Sequence, residues 1–284
     1  GQRRNFVCPV HGWTFGLDGA LSGVRERRDM PDIDLAAHAL IEVRCESLGE
    51  LYFINLDGRA RPLLDDLGEV GREWMRYRPD QSRLVRRLGM TVNANYKLVQ
   101  EANMEVYHVN TVHPAIVNQF LDSGAAPIEL YAHGHSIQAA RLKQQDWTES
   151  PIPLPRVREA EACSRIANVA FNTFPNRVCA MNAWGYSMQS YWPLTVNTTY
   201  VEVYWIAPKS ADPGPAAFWD EIIETFNVVL QQDFVFCPDA QKNLESGAVS
   251  AVLTTYQERA LHHAHQELDR RIGVERIPAE LRVA

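Results

Sequence analysis

The chain has 284 residues, of which 46% are hydrophobic and 22% charged, and its formal net charge is −7. This composition is that of a packed globular protein of one or two domains, and it excludes disorder, collagen-like repeats and low-complexity scaffolds. The acidic balance argues against nucleic-acid binding, and no apolar run reaches the ~18 residues of a membrane span. The opening stretch GQRRNFVCPVHGW holds no apolar signal core, and five cysteines (Cys8, Cys45, Cys163, Cys179, Cys237) are an odd number. Reduced thiols in a cytoplasm are therefore expected, all but Cys8 serving as small buried hydrophobes.

Residues 1–60 combine glycine with short apolar runs. Val7, Trp13-Thr14-Phe15 and Leu51-Tyr52-Phe53-Ile54 read as strands, with a turn at Leu17-Asp18-Gly19-Ala20. The polar, proline-bearing stretch over 58–68 reads as a linker. Met90 to Val99 reads as a strand running into a helix. Residues 186–207 alternate aromatic or β-branched residues with polar ones, as antiparallel strands with one wet face do. Helical periodicity covers 216–236 and about 255–271. An antiparallel sheet with helices on one side predicts an α+β domain.

In Cys8-Pro9-Val10-His11-Gly12-Trp13, a thiol and an imidazole stand three residues apart in a loop bounded by proline and glycine. A tight loop lets both face one metal ion, whereas an extended strand sends them to opposite faces. Taken alone, the same spacing also describes a buried cysteine near a loop histidine.

The second constellation runs from Glu101 through Glu105 and His108 to His113 and Pro114. On a helix Glu101, Glu105 and His108 share one face, while His113 falls ~140° away from His108. Both histidines reach one metal only if the helix loosens after His108, and Asn110-Thr111 and Pro114 are suitable breakers. Asp233 is a third candidate ligand. It lies on the apolar stripe of Ile222, Phe226, Val229 and Leu230, where an unpaired carboxylate costs several kcal/mol. An aspartate near a helix end that escapes to water fits the same periodicity. Two histidines and a carboxylate with open positions form the facial triad of non-haem Fe(II) oxygenases, and Zn²⁺ fits the same set. A Zn hydrolase with Glu105 as base, or a ligand-binding domain without redox activity, are the alternatives. His262, His263 and His265 read as surface on a polar helix. His133 and His135 alternate on an expected strand, so that one points inward.

Three boxes in order resemble the α subunit of Rieske non-haem iron oxygenases, the ring-hydroxylating family. They are Cys8-Pro9-Val10-His11-Gly12-Trp13; Asn95-Tyr96-Lys97 leading to Glu101, Glu105, Tyr107, His108 and His113-Pro114; and Gln232-Asp233 followed by Gln241 and Glu245-Ser246-Gly247. The resemblance implies the C-terminal part of an all-β Rieske domain over 1–60 and a helix-grip catalytic domain over 61–284. It implies mononuclear Fe(II) on His108, His113 and Asp233, with Glu105 as the acid bridging the two redox centres. Cys8 and His11 match half of the [2Fe–2S] ligands. The upstream C-x-H box is absent, because seven residues precede Cys8 and none is Cys or His. The expectation is an N-terminally truncated Rieske domain that does not assemble the cluster. The resemblance further implies O2 chemistry on a small organic, aromatic substrate in a homotrimer. Electrons would come from NAD(P)H through a reductase or ferredoxin. Trp184, Tyr186, Tyr191 and Trp192 suit an arene pocket or, equally, a cage for a methylated ammonium.

Overall fold

The computed structural model describes residues 2–146, 154–210, 214–249 and 251–283. Two compact units emerge, Gly1–Glu46 with Tyr52–Arg61, and Ser47–Leu51 with Pro62–Ala284. In the first unit β1 (Phe6–Val7), β2 (Thr14–Phe15) and β3 (Leu21–Gly23) form a three-stranded sheet. A two-stranded sheet, β4 (Arg44–Leu48) with β5 (Leu51–Asn55), follows. Of the cysteines, Cys45 and Cys163 are exposed, against the expectation of burial, while Cys179 and Cys237 are buried.

The second unit begins with α1 (Leu63–Met75), which occupies part of the stretch read as a linker. Its inward residues Leu67, Val70 and Trp74 recur at three- and four-residue spacings. Gly68 interrupts them with a non-helical conformation, and Pro62 and two aspartates at the start masked the pattern. The chain continues through β6 (Ser82–Val92), α2 (Tyr96–Glu101), α3 (Val109–Val112), α4 (Val117–Phe120), β7 (Ile128–Leu130) and β8 (Ser136–Arg141). After α5 (Arg158–Ser164) come β9 (Ala167–Thr173), β10 (Arg177–Met181), β11 (Tyr186–Thr195) and β12 (Thr198–Pro208). The helices α6 (Ala216–Phe234), α7 (Cys237–Glu245) and α8 (Arg259–Ile272) complete the unit.

The seven strands form one antiparallel sheet in the order β6-β12-β11-β10-β9-β8-β7. A two-residue turn, Val196-Asn197, joins the long β11 and β12 and fixes their register at Thr195↔Thr198. One sheet face meets α6: Val178, Tyr191, Val201, Val203 and Trp205 share a buried cluster with Ile223, Leu230 and Phe234. Helices cover the other face as well, contrary to the one-sided arrangement expected. There Trp74 of α1 packs edge-on against Phe171 and Tyr186. The fold is α+β and of the helix-grip type. Among the described residues no helix is long and apolar enough to cross a membrane.

Helix α8 closes the β7 edge of the sheet. His263 Nε2 lies 2.6 Å from the Tyr131 carbonyl and Arg259 donates to the Ile128 carbonyl at 2.5 Å. His263 is thus a packing residue rather than surface. His133 and His135 lie on a tight turn, not a strand. His135 is fully buried, its Nε2 3.0 Å from the Asp66 carbonyl and its Nδ1 accepting from the Phe174 amide at 3.0 Å. Gly134 in that turn has φ +77°, and a Cβ there would lie 2.9 Å from Glu267 Cβ. Only glycine allows α8 to approach so closely.

Glu267 accepts from both Arg270 and Arg271 at 2.6–2.7 Å. Burial pushes its carboxyl pKa up, but the two guanidinium groups outweigh that and hold it at about 2. Its folded pKa lies below the unfolded one, so this stabilisation is complete above about pH 4.5 and is lost as pH falls towards 2. Glu267→Gln should cost on the order of 2 kcal/mol at pH 7. In urea unfolding the gap to the parent should close between pH 4.5 and 2; a gap of equal size at both ends contradicts the assignment.

Candidate metal centre

The site is built from two segments more than a hundred residues apart. Asn95 caps α2, its side chain accepting from the Lys97 amide at 3.1 Å. Its own amide donates to Gln241 Oε1 of α7 at 2.9 Å, and its Nδ2 donates to the Val196 carbonyl at 2.8 Å. The start of α2 is thus pinned to α7 and to the β11–β12 turn.

Helix α2 stops at Glu101, so Glu101, Glu105 and His108 do not share a helical face as expected. The break comes before His108 rather than after it. Glu105 Oε2 accepts from the backbone N–H groups of Tyr107 and His108, a local bond that competes with helical pairing. His108 then precedes the single turn α3, and His113 ends it by leaving helical geometry before Pro114. This short turn, five residues from His108 to His113, brings both rings to one side, with centroids 5.1 Å apart. Glu101 is drawn elsewhere: its Oε1 lies 2.5 Å from His265 Nε2 on α8. That bond, more than burial opposes it, raises the His265 pKa. His265 is therefore an interhelical partner and not surface.

Asp233 comes from the last turn of α6. Pro238, at the start of α7, cannot continue the helix, so the carboxylate falls near a helix end but on its buried side with Leu230 and Phe234. Asp233 is 6% exposed and His113 2%. Asp233 Oδ1 lies 2.7 Å from His113 Nε2 and 3.4 Å from His108 Nε2. His113 Nε2 nevertheless lacks the alignment of a hydrogen bond, so the atoms converge on shared space rather than pairing. Each histidine is held by its other nitrogen. His108 Nδ1 meets Glu105 Oε1, and His113 Nδ1 lies 2.8 Å from Gln232 Oε1. Those acceptors select the tautomer that leaves both Nε2 lone pairs free, as a metal requires. Burial raises the Asp233 pKa despite its two histidines. Burial lowers that of His113, but nearby Asp233 and Gln232 outweigh it and the net shift is upward.

The three atoms lie within 4.8 Å of one another, the span of ligands around one ion. A dication here would neutralise the buried carboxylate and occupy the orphaned Nε2, so the residues present fit a mononuclear metal. Sequence reasoning gave Gln232 no role. Its only local signal is an amide beside a buried aspartate on the same helix.

In the N-terminal unit, Gly12 (φ +75°) closes a turn in which its amide donates to the Cys8 carbonyl at 2.9 Å. Backbone N–H groups of Val10 and His11 approach the Cys8 sulfur and hold its pKa below the ordinary thiol value. Cys8 and His11 are two donors where a Rieske cluster takes four, so the residues present do not hold that cluster by themselves.

The family model for the ring hydroxylating alpha subunit (catalytic domain) matches residues 64–274. The glycine betaine monooxygenase oxygenase subunit of Chromohalobacter salexigens is 24% identical over 87% of this chain, which spans 62% of that relative's length. The carnitine monooxygenase oxygenase subunit of Escherichia coli is 29% identical over 47% of this chain and 35% of its own. Among solved structures, the quaternary ammonium Rieske monooxygenase CntA with L-carnitine superposes with a TM-score of 0.75 at 18% identity, covering 95% of this chain and 72% of that one. Naphthalene 1,2-dioxygenase from Rhodococcus with indole gives 0.69 at 18%, over 95% and 76%.

Removing the Asn95 cap should loosen the segment that carries both histidines. Asn95→Ala is expected to cost about 1 kcal/mol. Hydrogen exchange at residues 96–108 should speed up while α8 amides stay unchanged; uniform acceleration would show that the cap is not local.

Proposed function

The chain belongs to the ring hydroxylating alpha subunit family, and from that premise we propose that it is the catalytic part of a Rieske-type oxygenase. The observation that carries this reading is the convergence of His108 Nε2, His113 Nε2 and Asp233 Oδ1, with both Nδ1 atoms already engaged. In this reading His108, His113 and Asp233 hold Fe(II), which when bound supplies O2 activation and oxygen insertion into an organic substrate. Asp233 contributes the negative charge, His113 the buried imidazole and His108 the more exposed one. Glu105 orients His108, and Gln232 orients His113.

Glu105 is also assigned the bridging role, toward His11 of a neighbouring chain in a homotrimer. Reducing equivalents reach the assembly from NAD(P)H through a reductase or ferredoxin. The domain division is proposed as 1–60 for the Rieske part and 61–284 for the catalytic part. Quaternary ammonium compounds are the proposed substrate class, in preference to an aromatic hydrocarbon. The betaine and carnitine relatives support this choice, as do aromatic faces such as Tyr191, Trp205 and Phe226 between the sheet and α6.

Metal analysis after anaerobic loading should give about one iron per chain. His113→Ala and Asp233→Ala should abolish it, whereas Glu105→Ala should weaken iron about 10–100-fold without abolishing it. Zinc in preference to iron, or iron retained by Asp233→Ala, would overturn the assignment.

A further inference from the structure

The sheet face that meets α6 carries buried polar groups that the metal centre does not use. Register places Gln138, Ala170, Ala180, Ser187 and Trp205 in one row across β8, β9, β10, β11 and β12. The neighbouring row holds Ser136, Asn172, Val178, Gln189 and Val203, with Tyr191 two residues further along β11. Gln138, Asn172, Trp205 and Tyr191 are 3%, 1%, 5% and 0% exposed. Yet Gln138 Nε2, Asn172 Oδ1, Trp205 Nε1 and Tyr191 OH find no hydrogen-bond partner among the described residues. Their polar neighbours are satisfied. Asn172 Nδ2 donates to Ser136 Oγ at 3.0 Å, and Gln189 Nε2 donates to Ser187 Oγ at 2.9 Å.

The middle of the first row is open. Ala170 and Ala180 lie on central strands but are only half-buried, so their short side chains leave that part of the row uncovered. A buried polar atom without a partner costs stability, and native structures rarely keep several on one face. Resting on the oxygenase reading above, we propose that this face is a recognition platform for the oxygen-bearing end of the substrate, a carboxylate or hydroxyl. The Gln138 amide nitrogen and the Trp205 indole can only donate, the Tyr191 phenol can donate or accept, and Asn172 offers one acceptor, so an acceptor oxygen suits it best. Tyr191 shares its buried cluster with Leu230 and Phe234, the α6 residues that flank Asp233, so the platform adjoins the metal centre. An arene without polar groups would leave all four atoms dry and unpaired, and a site built to hydrogen-bond rejects such a ligand.

Gln138→Met and Tyr191→Phe test this on the iron-loaded chain, with glycine betaine, choline, tetramethylammonium and indole as calorimetric probes. Without ligand, each variant should melt about 2–4 °C higher, because it deletes an unmet donor. Binding of betaine (carboxylate) or choline (hydroxyl) should weaken about tenfold, with tetramethylammonium unchanged within about twofold. The probe that loses more identifies the oxygen group recognised. Variants that melt lower, or that bind betaine and choline as the parent does, overturn the platform. Failure of all three ammonium probes on the parent chain speaks against the ammonium reading alone, since the melting shift is read without any ligand.

Discussion

The carboxylate of Asp233 has almost no water, and the second unit is arranged around that fact. A buried anion is tolerated when it is paired, hydrogen-bonded or bound to a metal. Here two imidazole nitrogens face it without forming well-aligned hydrogen bonds, and each ring is steered from its far side by a different acceptor. Helix α6 therefore does two things with consecutive residues. Gln232 orients one ring while Asp233 supplies the charge that both rings surround.

The geometry on the opposite side depends on a helix that is prevented from continuing. A regular helix through 101–113 would place His108 and His113 well apart around its axis. Glu105 captures the Tyr107 and His108 amides and the segment turns before His108, so one short turn suffices to bring the histidines together. The start of this segment is held by Asn95, bonded to Gln241 on α7. Two sequence-distant boxes thus form one mechanical unit, the cap and turn of one joined to the helix end of the other.

The sheet supplies the remaining wall. Its outer face is aromatic and packed by α1, whereas its inner face mixes apolar packing with amide, indole and phenol groups that are unpaired among the described residues. Such a surface is poor as a core, and under the platform proposal it serves as a binding wall.

How much of this was legible from the chain follows from the range of each interaction. The converging residues His108, His113 and Asp233, helix α6 and the long β11–β12 hairpin could be read because residue type and periodicity are local properties. Buried aspartate on an apolar stripe is a local anomaly, and it stood out. Helix α1 was hidden because Pro62, Asp65, Asp66 and Gly68 give its first turn the chemistry of a loop, while packing of Trp74 against Phe171 and Tyr186 holds it. The pairings Glu101–His265, Gln232–His113 and Asn95–Gln241 each span more than a hundred residues. No spacing rule encodes them, since they arise only when the sheet brings α2, α6, α7 and α8 together. Residue type and local spacing limit which atoms can bind a metal. Which nitrogen each histidine turns inward depends on the assembled fold, because that choice belongs to the acceptors, Glu105 beside His108 and Gln232 delivered to His113 by the distant α6.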